Sequence, residues 1–178
     1  MTAPNLDQWL DRPAVRVVHR RPTKADPARL WEAARAIRLD QTRVLGRLVR
    51  WRIPGVSPQS SFEELFTSSP FLALQHEDMT LVSGLVGRIW TLRRDYPQLS
   101  GIEDYQDWDR PGTAKVLLAN WVVARDGGGA ALHSETRVRA HGVQGRVGLA
   151  SVRPLIAGFQ QLVSTDAMAA AIRQAERA

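Results

Sequence analysis

The spacing of apolar and polar residues changes character along the chain, and each change marks an element. Over residues 14–20, Val15, Val17 and His19 alternate with Arg16, Val18 and Arg20, the two-residue period of a strand. Asp26-Pro27 then sets a good N-cap before a proline at the first helical position, and Leu30, Ala33, Ala34 and Ile37 follow at helical spacing with Trp31 beside them. The pattern predicts a strand followed by a short amphipathic helix. Residues 40–53 fit either period: Val44, Leu48 and Trp51 are helical neighbours, while Val49 and Trp51 alternate with Leu48, Arg50 and Arg52. Pro54-Gly55 ends that segment and residues 57–61 form a polar loop. Phe62, Leu65 and Phe66 then give a turn or two of helix capped by Ser60 or Ser61, with Glu63 and Glu64 in its first turn.

Strand periodicity dominates residues 70–138. Residues 71–76 and 79–90 read as two strands joined at Glu77-Asp78, with Gly84 and Gly87 as bends or bulges of a strongly curved sheet. Residues 93–112 carry Asp95, Glu103, Asp104, Asp107 and Asp109, with Tyr105 and Trp108 three apart, and are expected to fold as a short helix over one edge or mouth of the sheet. Residues 113–125 and 131–140 form a hairpin across Asp126-Gly127-Gly128-Gly129, whose glycines reach positive φ at little cost. After Gly142 helical spacing runs to the end of the sequence. Val143, Val147, Ala150, Leu155, Phe159, Leu162, Val163, Met168, Ala171 and Ile172 fall broadly along its inner side, and Arg146, Arg153, Gln160, Gln161, Arg173 and Gln174 face water. Pro154 is expected to kink this helix or open a turn in it.

Alternation also names a candidate lining. On residues 113–125 the row Ala114, Val116, Leu118, Asn120 and Val122 is apolar except for one amide, and its cross-strand row is Leu132, Ser134, Thr136 and Val138. Asn120, Ser134 and Thr136 are then the polar anchors of a ligand cavity, or they satisfy one another in a filled core. His133, Glu135, Arg137 and Arg139 are left to water. Arg88 and Trp90 share a strand face with Val82, Gly84 and Val86. Turned inward, Arg88 would clamp a carboxylate or phosphate; turned outward, it is solvated or paired with the acids at 104–109. Those acids form a solvated loop or a lid over the cavity mouth. His19, His76, His133 and His141 have no metal-site spacing, and there is no serine elbow, phosphate-cradling loop or dinucleotide fingerprint. No metal and no cofactor is expected, and no catalytic residue is nameable.

Composition narrows the classes. A chain of 178 residues is long enough to bury a core as one domain, here with residues 1–13 as an N-terminal extension. It has no cysteine, which excludes disulfides, thiolate nucleophiles and cysteine zinc sites. The first residues lack a signal-peptide pattern, and apolar runs such as residues 116–124 are too short to span a bilayer, so a cytoplasmic protein without a membrane span is expected. The formal charge of +6 raises nucleic acid as a partner. The positive charge is almost all arginine and scattered, which argues against it. A homodimer is expected from the second apolar row of residues 113–125, Leu117, Ala119 and Trp121, which needs cover.

The order of elements, together with Asp26-Pro27-Ala28-Arg29-Leu30-Trp31, Gly84-Leu85-Val86-Gly87-Arg88-Ile89-Trp90, Ser134-Glu135-Thr136-Arg137-Val138 and Trp108-Asp109-Arg110-Pro111-Gly112 followed by Lys115 and Asn120, resembles uncharacterised bacterial members of the START, pollen-allergen and polyketide-cyclase superfamily, SRPBCC. The likeness extends over roughly residues 15–176. It implies an α+β helix-grip fold, a curved antiparallel sheet wrapped around a long C-terminal helix with short helices after the first strand and a cavity between sheet and helix. The expected partner is a small hydrophobic ligand, bound by Asn120, Ser134, Thr136, Arg88, Trp90, Leu118 and Phe159. An alternative is a cyclase, aromatase or dehydratase acting on a hydrophobic carbonyl compound. A third is arginine-mediated binding of a partner or nucleic acid.

Overall fold

A computed structural model describes residues 3–42, 44–53, 55–91 and 95–177. Five antiparallel strands, β1 (Val15–Thr23), β2 (Leu72–Glu77), β3 (Thr80–Gly87), β4 (Ala114–Ala124) and β5 (Ala130–Ala140), form one curved open sheet in the order β1-β5-β4-β3-β2. The helices are α1 (Pro27–Ala36), α2 (Leu45–Arg52), α3 (Phe62–Thr67), α4 (Ile102–Gln106), α5 (Gly142–Leu162) and α6 (Ala169–Arg177). A π-helical segment, Val163–Met168, joins the last two into one long C-terminal helix.

The local signals act as expected at several points. Asp26 accepts hydrogen bonds from the N–H groups of Ala28 and Arg29 at the start of α1. Ser61, rather than Ser60, caps α3 in a reciprocal pair with Glu64, at 3.1 and 2.9 Å. Gly127, Gly128 and Gly129 all take positive φ in the β4–β5 turn. That hairpin runs in the register Asn120 opposite Ser134 and Leu118 opposite Thr136. Of the ambiguous stretch at 40–53, residues 45–52 form the helix α2, with the N–H groups of Val44 and Leu45 held by the Asp166 carboxylate at 2.9 and 3.3 Å, and Arg43 lies outside the described residues.

Each face of the sheet is covered by the chain itself. On one face, Leu149 of α5 packs with Val116, Val138 and Leu85, and Met168 and Ala171 pack with Leu81, Val122, Leu132 and Trp31. On the other, Leu6, Trp9 and Leu10 of the N-terminal segment and Tyr105 and Trp108 around α4 cover Leu117, Ala119 and Trp121. The row that suggested a dimer therefore finds its cover within the chain.

Five further expectations are corrected. The strand expected to reach Trp90 stops at Gly87, where φ is +140 and a Cβ would overlap the Asp95 carbonyl. The irregularity in this hairpin falls in β2, between Ala73 and Gln75, while Gly84 is bare so that the Tyr105 ring can lie on it. Glu135 and Arg137 are not left to water: both are buried under the N-terminal segment. The Tyr105 helix is no lid, since it sits on the face opposite α5. Finally, α5 passes unbroken through Pro154, with Val143, Val147, Ala150 and Leu155 facing out and Gln160 facing in. Proline leaves the Ala150 carbonyl without its helical donor, and an exposed position lets water supply one.

Candidate functional site

Adjacent strands put polar side chains in line on the helix-covered face. Cross-strand pairing sets Leu81, Asn120, Ser134 and His19 in one row over β3, β4, β5 and β1. The next row is Ser83, Leu118, Thr136 and Val17. The long helix lowers Gln160 and Ser164 toward this region, both buried, and Arg21 Nε donates to Ser164 Oγ at 3.3 Å.

Two observations separate this place from ordinary core. From Ala114 to Val122 every residue of the central strand is buried except Leu118 and Asn120, which keep part of their surface accessible. Beside them, the Thr136 hydroxyl and His19 Nε2 are buried without a hydrogen-bond partner. Leaving such groups unpaired costs about 1–3 kcal/mol each. Burial, reinforced by the charge of Arg21, lowers the His19 pKa against an opposing contact with the Gln160 backbone. A ring kept neutral offers one donor and one acceptor nitrogen.

The structure sets Asn120, Ser134, Thr136 and Leu118 side by side on β4 and β5, with Trp90 packed against the same apolar cluster as Leu118. Trp90 packs against α5 at Gly148, where a Cβ would overlap its ring. Phe159 lies with Leu45, Val49 and Leu65 of α2 and α3. Arg88 points away, half-exposed, with its backbone N–H on the Asp95 carbonyl at 3.0 Å and its guanidinium 3.5 Å from the Asp95 carboxylate. The turn at Gly87 carries it out of the sheet before it can face inward. His19, Arg21, Gln160 and Ser164 escaped the sequence reading. The alternation that put His19 in the row of Val15 and Val17 was the available signal for the first of them. Among the described residues no three histidine or acidic side chains converge as metal ligands would.

An open groove of about 400 Å³ lies away from these residues, between the end of α1 and α6, lined by Ile37, Gln41, Ala170, Arg173, Gln174 and Arg177. By length and apolar composition alone the helical run Gly142–Arg177 also meets the requirement for a membrane span, although 33% of its most apolar stretch is buried inside the protein. Glutamines and arginines interrupt its apolar residues, so no unbroken apolar string marks it in the sequence. Comparison with protein-family models, curated proteins and solved structures gives no significant match to this chain.

Proposed function

We propose that the chain binds or carries a small apolar molecule, held between the sheet and the C-terminal helix in a helix-grip, SRPBCC-like arrangement. The observation that carries this is the partial exposure of Leu118 and Asn120 on the helix-covered face, with the unpartnered Thr136 hydroxyl and His19 Nε2 in the same two rows. Apolar walls with a few convergent polar groups are the usual make-up of a small-molecule site. With His19 neutral, the ligand's polar end is an uncharged hydroxyl or carbonyl rather than an anion. Denaturing extraction of the purified protein followed by mass spectrometry is expected to release such a molecule, in smaller yield from Thr136→Val and His19→Ala. Release of nothing, together with no saturable uptake of a neutral hydrophobic fluorophore, would sink the proposal.

A second reading, an enzyme of cyclase, aromatase or dehydratase type, is favoured by one feature: a neutral histidine opposite Ser134 and in the row of Asn120. His19 would act as general base while Asn120 and Thr136 hold the substrate carbonyl. Arg88 has no part in it. His19→Gln would then abolish turnover while retaining ligand, whereas a carrier retains ligand and never turns it over.

A further inference from the structure

The outer side of α5 is unlike the outside of an ordinary surface helix. Val143 and Val147 are 67% exposed and Leu155 is 71% exposed. Val143, Val147, Ala150, Pro154 and Gly158, spaced four, three, four and four residues apart, make one outward stripe with Leu155 at its edge, and all are exposed. Arg146 and Arg153, seven apart and exposed, share a single flank. Between Glu135 and Asp166 the sequence holds no acidic residue. The inward side of the same helix, with Gly145, Leu149, Val152 and Ile156, is already spent on the sheet.

We propose that this face seats on a membrane surface rich in anionic lipid, with α5 lying parallel to the surface. The stripe runs along a 21-residue helix, roughly 30 Å, and pairs apolar contact with a cationic flank, as interfacial helices do. A helix anchored to a sheet along one side cannot cross the bilayer, so its apolar outer side meets the interface instead. A second copy of the chain fits less well. Two-fold pairing would set Arg146 and Arg153 against their own images with no carboxylate on either helix to answer them. Anionic headgroups supply the missing charge. Beside the far end of α5, Leu45 and Val49 of α2 pack with Phe159 and Leu162, and α2 turns out exposed Leu48 together with Arg47 and Arg50, again without an acid.

Co-sedimentation with phosphatidylcholine vesicles, with and without phosphatidylserine, tests this on the full chain. Binding is expected to the anionic vesicles and to weaken with salt. Arg146→Glu with Arg153→Glu should lower it on the order of 30-fold or more. Val147→Asp with Leu155→Asp should remove it while circular dichroism stays unchanged, since both positions are mostly exposed. Three results would overturn the proposal: no sedimentation with either vesicle, equal sedimentation with both, or unaltered binding by both variants. So would a concentration-dependent dimer dissolved by Leu155→Asp, or capture by an acidic polypeptide, in the absence of vesicle binding.

Discussion

At the scale of single residues, Thr136 carries the sharpest test. Its hydroxyl is buried without a partner between Leu118 and Val17 in its row, with Val138 on one side along β5 and Ser134 on the other. Replacing it by valine keeps the shape and removes the unsatisfied group, so Thr136→Val should stabilise the ligand-free protein by about 1 kcal/mol while lowering ligand recovery. Urea unfolding measures the first effect, and a loss of stability would mean that the hydroxyl is bonded in solution. Residues of this kind were legible in the sequence because side chains of a strand alternate strictly. Once one apolar row is recognised, Asn120, Ser134 and Thr136 must share its face. Glu135 and Arg137 occupy the opposite row, and their charge made water their natural destination. What buries them is a segment more than a hundred residues away in sequence, which alternation cannot see.

Among elements, legibility followed the distance of the determining contact. Helices α1 and α3 carry their caps in adjacent residues and could be placed from them. Helix α2 has no side-chain cap of its own, and its first N–H groups depend on Asp166 in the π segment, so residues 40–53 stayed ambiguous. In α5 the inner side sets two glycines, Gly145 and Gly148, beside Leu149, Val152 and Ile156. A Cβ on Gly145 would crowd the Thr113 carbonyl and one on Gly148 would overlap Trp90, so the helix approaches the sheet on the side that reads as featureless. Two substitutions separate the roles. Gly148→Ala should cost about 1–3 kcal/mol by overpacking against Trp90. Gly158→Ala, whose added methyl meets nothing within 4 Å, should stabilise by about 0.5–1 kcal/mol through helix propensity. Thermal melts of the two variants should move in opposite directions.

On the scale of the whole molecule, a small group of arginines ties the back of the sheet to the N-terminal segment. Arg16 grips Glu135 through two hydrogen bonds at 2.8 and 3.1 Å, and Arg137 reaches the same carboxylate at 2.6 Å. Arg137 also bonds Asp7 and the Leu10 carbonyl, and Arg139 bonds Asp11. Burial works to raise the Glu135 pKa, but the two guanidiniums outweigh it and hold the carboxyl below its ordinary 4.5. Its contribution to stability is therefore complete above that value and lost as pH falls through the lower folded one. Glu135→Gln should cost about 2 kcal/mol at neutral pH by leaving the buried Arg137 with Asp7 as its remaining carboxylate, and the gap from the parent should narrow in acid. His19, His133 and His141 add an earlier step. Burial lowers all three below their ordinary 6.5. The unfolded chain then takes protons first, and melting temperature should decline as pH drops below about 6.5. A flat profile from pH 8 to 5 would contradict their burial.

The segment ahead of β1 is fastened across the back of the sheet mainly by three arginine-anchored contacts and by Leu6, Trp9 and Leu10. A protease that clipped it off would thin the cover over Leu117, Ala119 and Trp121 to Tyr105 and Trp108, and would strip the Arg137 guanidinium of one of its counterions. Such a trimmed product should stick to its own kind, turning a well-behaved solute into a self-associating one at the rate of that single cut.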